Sequence, residues 1–288
     1  MELPELTPGV IAFLVVEAIL YLGGIVTFFV WQFGRNAEQR RELRLAPWNV
    51  PLSDFLLGAL IVVVAGLSLQ LALASLQRVL PDRLDADAWM IVQGAGFQFG
   101  LLLGAIVAIR LLRPRSTLPG GDPAPELTAV PVPPPAIGTL TGGFTLFLVA
   151  LPLVLSVSLV WQWLLQTAGM ELDQQEMIDL LRNNDSPFVI GGLAVLAVGV
   201  APIAEEAIFR AGLFRYLRTR IPRPVALLLS SLVFASLHAN AVAFAPLVAL
   251  GILLCLAYER TGRIAIPMVA HALFNLHTML LLLAGIDV

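Results

Sequence analysis

Glu205 and Glu206 stand side by side in a stretch, residues 201–214, whose only other charged side chain is Arg210. Carboxylates are costly to place in hydrocarbon, so an ionisable group there is a functional candidate whose partner has to be named. Arg210 follows Glu206 by four residues, which on a helix places the two on one face and within pairing distance. Glu205 is turned about 100° away from Glu206 and has no such neighbour. Glu206 and Arg210 therefore read as a structural pair, and Glu205 as the carboxylate left for chemistry. The three histidines of the chain, His238, His271 and His277, all follow the Glu pair. Phe234 precedes His238 by four residues and Asn275 follows His271 by four, so each of these pairs also shares a helix face. His277 lies about 240° round the helix from His271 and points elsewhere, as a packing residue.

Two chemistries suit this set. Carboxylates taken out of water bind protons more tightly, which suits general-base catalysis. Glu205 then takes a proton from water, His238 shares or orients that water, and His271 and Asn275 donate hydrogen bonds to a developing oxyanion. Such a constellation fits amide hydrolysis. Alternatively Glu205, His238 and His271 hold Zn²⁺, with water in the fourth position. The spacing does not separate a zinc site from a metal-free glutamate mechanism, and no single helix carries H-E-x-x-H. The only cysteine, Cys255, excludes an intramolecular disulfide and a cysteine-rich metal site.

The surroundings are those of a membrane. The chain has 288 residues, of which 13% are charged, and a mean hydropathy of +0.88. That composition describes an all-α polytopic membrane protein, and at roughly 20 apolar residues per span the length allows about eight membrane helices. No basic run is long enough for a nucleic-acid surface. The N-terminus carries Glu2 and Glu5 and no basic residue before the first apolar run, unlike a secretory signal peptide.

Apolar runs predict spans near residues 9–33, 55–76, 88–112 and 139–165. A helical pattern follows from 187 through Glu205 to the arginines at 215–220, then helices near 225–238, 246–258 and 264–283. The last but one is short for a span, which leaves the link 239–245 within the membrane, where irregular backbone is tolerated only if it is buried in protein or lines a wet cavity. Glu17 falls in the middle of the first span and reads as a carboxyl hydrogen-bonded to another helix. Gly96, Gly100 and Gly104 form a small-residue stripe that permits close helix packing. Residues 113–138 are crowded with proline and glycine and read as a cytoplasmic linker. It separates an N-terminal three-span module (1–112) from a C-terminal module (139–288).

Charge sets the orientation. With both termini outside the cytoplasm and the chain alternating, only Arg78, Arg83 and Arg182 of the 17 arginines fall outside, a strong positive-inside bias. Taking residues 221–222 as a hairpin apex, Glu205 and His238 each lie about 16 residues, or about 24 Å, from it. His271 lies about 12 Å beyond Arg263 along its own helix. The candidate groups thus reach similar depth, near the cytoplasmic side.

Glu205-Glu206 with Arg210, Phe234 with His238, and His271 with Asn275 resemble, in order, the EExxxR, FxxxH and HxxxN motifs of the CPBP family of intramembrane proteases, also called CAAX-protease, bacteriocin-processing or Abi-type proteins. The resemblance spans about residues 187–283 and leaves the first three spans and the linker uncovered. It implies a CPBP-type helical bundle in the C-terminal half, with endopeptidase activity opening to the cytoplasm; the composition reads as that of a multi-pass protein of a bacterial plasma membrane. It carries the catalytic roles to Glu205, His238 and His271, with Asn275 assisting, and the same Glu205, His238 and His271 to a metal where one is used. Its implied partner is a membrane-associated protein or peptide; eukaryotic members remove the last three residues of prenylated proteins. Other relatives imply an alternative, a non-catalytic scaffold or bacteriocin self-immunity protein that keeps the same fold. A transporter is a third class, against which no inverted internal repeat is visible.

Overall fold

The structure, a computed structural model, describes residues 8–33, 45, 48–112, 136–170 and 186–284. Eight helices and no strand run through the described residues: α1 (Pro8–Phe33), α2 (Leu52–Val79), α3 (Ala86–Leu111), α4 (Ala136–Thr167), α5 (Pro187–Arg218), α6 (Arg223–Ser236), α7 (Ala241–Thr261) and α8 (Ala265–Leu283). Six of them, α2 to α5 together with α7 and α8, are long and apolar enough to cross a membrane. The apolar stretch of α1, Leu14–Val30, and α6 are shorter. The fold is thus the all-α polytopic bundle expected, with eight as an approximate span count. Most of the linker, residues 113–135, and the acidic loop at 171–185 lie outside the described residues; α4 begins at Ala136, inside the stretch assigned to the linker.

One expectation is corrected. The helix placed at residues 246–258 runs from Ala241 to Thr261 and is long enough to span. Pro246 had marked its start, because proline removes an N–H and is best tolerated in a first turn. In the structure Pro246 lies inside the helix, and the start is set by Asn240, whose Oδ1 accepts from Ala243 N at 2.7 Å, a side-chain cap of the usual kind. The irregular link shrinks to residues 237–240, with Ala239 in the left-handed region at φ 49°. Gly262, at φ 66°, ends α7 in the conformation that glycine adopts without a steric penalty.

α2 and α3 form a tight antiparallel hairpin through the glycine stripe. A Cβ on Gly100 would lie 2.5 Å from Ala65 O and 2.7 Å from Gly66 Cα, and one on Gly104 would lie 2.7 Å from Val62 Cα. Backbone meets backbone here, which is how helices gain contact in a bilayer that offers no hydrophobic drive between them. Gln93 Nε2 donates to Gln77 Oε1 at 2.6 Å across the same hairpin. Gly100→Leu is expected to cost about 1–3 kcal/mol through overpacking, read as a lower midpoint of thermal unfolding in detergent. An unchanged midpoint would contradict the close approach.

The hairpin lies against α5 mainly through α3. α4 packs on α1, α7 and α8, and α6 packs on α7 and α5. At the α5–α6 turn Glu259 of α7, 1% exposed, receives Arg218 Nε at 2.6 Å and Arg223 Nε at 2.7 Å. One carboxylate thus ties the ends of three helices. At the same end Arg220 stacks on Tyr216, 3.7 Å from its ring centroid, and donates to Trp48 O at 3.3 Å and to Val50 O. Phe55 stacks on Tyr216 at 3.8 Å. The chain entering α2 and the turn leaving α5 are therefore bolted together at one end of the bundle.

Candidate active site

α5 is one continuous helix with two wide stretches. It is π-helical over Val195–Val200 and over Glu206–Phe214, a form that recurs at functional sites. The first stretch has a cause in the sequence. Ala201 N bonds Leu196 O, five residues back. The next bond in that pattern would run from residue 202 to Ala197 O, but Pro202 has no N–H to give. Ala197 O is met instead by Asn275 Nδ2, at 2.6 Å from α8. Asn275 thus fills a gap that Pro202 opens, and one of its two N–H groups is committed there.

The second wide stretch carries the charge cluster. Glu206 Oε1 lies 2.9 Å from Arg210 Nη1 and 2.9 Å from His271 Nδ1. All three residues are at most 3% exposed. The guanidinium lies 4.3 Å over the Phe234 ring, so an aromatic face supplies part of the compensation for its charge. A carboxylate can only accept, so His271 Nδ1 carries the proton in this bond. That fixes the tautomer and aims Nε2 outward, as a carboxylate behind a working imidazole does. His271 Nε2 then faces Glu205 Oε2 at 3.7 Å, longer than a direct hydrogen bond. Glu205, with an 18% exposed side chain, is the more open of the two carboxylates, and its Oε2 has no hydrogen-bond partner.

His238 reaches the group by another route. It sits just past the end of α6, where carbonyls lose their helical partners. Its Nδ1–H donates to Phe234 O at 2.9 Å, which leaves Nε2 as the free ring nitrogen. The ring of Phe234, fully buried, joins the pieces. It lies 4.8 Å from His238, 5.9 Å from His271 and 5.3 Å from Phe209, edge to face in each case. Phe234 is thus the surface on which Arg210, His238 and His271 meet.

The structure therefore joins Glu206, Arg210 and His271 directly, sets Glu205 beside His271, brings His238 in through Phe234, and places Asn275 on Ala197 O. The part of Glu206 as acceptor for His271 is absent from the sequence reading, which paired it with Arg210 alone. Four-residue spacing reports contacts within one helix and says nothing of a histidine 65 positions later. Glu259 is missed for the same reason. His277 points away from this group, and Nε2 lies 2.9 and 3.0 Å from the two oxygens of Glu17. Among the described residues no three His, Cys, Asp or Glu side chains are grouped to hold a metal ion.

Comparison with curated proteins and comparison with solved structures each returned no match. A family model described as type II CAAX prenyl endopeptidase Rce1-like matches residues 187–277, which run from the start of α5 to His277 of α8 and include every residue of the cluster just described. Over those residues the chain carries an Rce1-like domain, consistent with a CPBP-family protease.

Proposed function

We propose that the chain is an intramembrane endopeptidase that hydrolyses a peptide bond of a membrane-associated protein or peptide, lipid-modified or not. The observation that carries this reading is the buried polar relay from Arg210 through Glu206 to His271, ending against an unbonded Glu205 oxygen. A water beside Glu205 gives its proton to Oε2 as its oxygen bonds to the scissile carbonyl carbon, and the carbonyl electron pair moves onto oxygen. His271, which donates from Nε2 only when both ring nitrogens carry a proton and Glu206 serves as counter-charge, and the uncommitted Nδ2–H of Asn275 donate to that oxyanion. On collapse the C–N bond breaks and Glu205 returns the proton to the leaving amine. His238, turned by its bond to Phe234 O, offers Nε2 to the same water. Glu206 and Arg210 act through their neighbours as positioning residues.

The site is expected to open to the cytoplasmic side, with both termini on the other. The bolting of the segment before α2 to the α5–α6 turn supports a common side for those two loops. Single cysteines at Ser116 and Gln174 should label from opposite faces of the membrane; labelling from one face would overturn the orientation. The function itself is tested by incubating the purified full chain with membrane-tethered peptides, prenylated and unprenylated. Cleavage of any of them supports the endopeptidase. Stable binding without cleavage across the panel would favour the scaffold or self-immunity alternative.

A further inference from the structure

α1 lies outside the matched residues, yet its one carboxylate reaches the helix that carries His271 and Asn275. Glu17 Oε1 and Oε2 lie 2.9 and 3.0 Å from His277 Nε2, and both side chains are 11% exposed. The rest of α1 presents large apolar side chains outward, Val16, Ile19 and Leu22 among them. Gly24, seven residues on from Glu17, is about two turns further along the same face. A Cβ there would strike Leu148 O of α4. α1 is thus docked at two points, by close backbone approach to α4 at Gly24 and by a polar bond to α8 at Glu17. Phe147 of α4 packs between, with its ring centroid 5.8 Å from that of His277 and 5.2 Å from that of Phe274.

Among the described residues α8 makes three polar side-chain bonds to other helices: His271 to Glu206 and Asn275 to Ala197 O on α5, and His277 to Glu17 on α1. Ala270, Phe274, Met279 and Leu282 of the same helix pack in apolar clusters, and apolar packing in a bilayer resists a small axial turn weakly compared with a directed hydrogen bond. With side-chain atoms about 5–6 Å from the helix axis, a turn of about 10° moves them by about 1 Å. A displacement of that size at a reacting centre costs up to about a hundredfold in rate.

We propose that the Glu17–His277 bond is a positioning device that makes α1 part of the working unit. It holds α8 from a different face than α5 does, at the rotation where His271 Nε2 faces Glu205 and Asn275 reaches Ala197 O. The activity arm of its test rests on the endopeptidase reading; the spectroscopic arm does not.

The chain has three histidines, so full-length protein labelled with ¹⁵N-histidine gives three imidazole environments, assignable by single replacements. In Glu17→Leu the His277 and His271 resonances should both shift while those of His238 stay. In Glu17→Gln, which keeps an acceptor for Nε2–H, the His271 resonances should return to their wild-type positions. On a cleaved peptide, kcat of Glu17→Leu should fall about 10- to 100-fold with KM within about twofold, and Glu17→Gln should recover most of it. His277→Phe keeps the ring and loses Nε2, and should reproduce the His271 shift should Glu17→Leu fail to fold. A His271 resonance unmoved in Glu17→Leu and in His277→Phe would overturn the proposal, as would equal loss of kcat in Glu17→Leu and Glu17→Gln. A wild type that cleaves nothing, with His271 still shifted in Glu17→Leu, would remove the endopeptidase reading and leave the positioning device standing.

Discussion

Glu205→Gln is expected to lower the rate of peptide cleavage by about 10²–10⁴-fold, the usual contribution of a general base placed on its water, while the protein inserts and unfolds as the wild type does. The asymmetry follows from the surroundings. Glu205 is the more open carboxylate, its Oε2 carries no hydrogen bond, and its nearest ionisable partner, His271 Nε2, is 3.7 Å away. An amide of the same shape fits there without stranding a charge. It cannot take a proton from water at neutral pH. The check pairs single-turnover cleavage with a melt of the same preparation. Retained cleavage would remove Glu205 from the centre of the mechanism. A lowered melting point with lost cleavage would mean that Glu205 holds structure as Glu206 does.

Arg210→Ala is expected to have the largest effect on stability, about 3–5 kcal/mol, the range found when one partner of a buried pair is removed. Glu206 has no exposure and Arg210 1%, so the carboxylate cannot turn to water when its cation is gone. His271 remains bonded to the same oxygen, but only through the Nδ1–H it already gives. The Phe234 ring also loses the guanidinium that lies 4.3 Å above it. Denaturation in detergent should show the loss directly, and cleavage should fall with it. A normally stable Arg210→Ala protein would contradict the view that the pair carries structure. Glu206→Gln separates the two duties of that carboxylate, because an amide still accepts from His271 Nδ1–H while giving up the charge that balances Arg210.

Most of the helices are legible in the sequence because bilayer-crossing segments have to be long and apolar. The extents of α1 to α4 and α8 lie within about three residues of the apolar runs, an ordinary margin for helix ends. The difference at α7 has one cause: proline at 246 reads as a boundary, whereas Asn240 caps the helix and the proline sits in its second turn. The motif residues are legible because each pair falls at four-residue spacing on one helix. What joins the pairs is not. Glu206 with His271, Asn275 with Ala197 O, and Glu17 with His277 cross between helices 65 to 260 positions apart, and hydrophobic periodicity carries no signal for them. The π-helical stretches leave one trace, Pro202, which removes the N–H that Ala197 O would have used. The position of Glu17 in a span already implied a partner on another helix, and His277 is that partner.

The most direct test is cleavage of one membrane-tethered peptide by purified wild type and by Glu205→Gln, side by side, with products identified by mass. The account predicts a single new peptide end with the wild type and none at matched times with the variant. Cleavage at the same bond by both proteins, at the same rate, would contradict it.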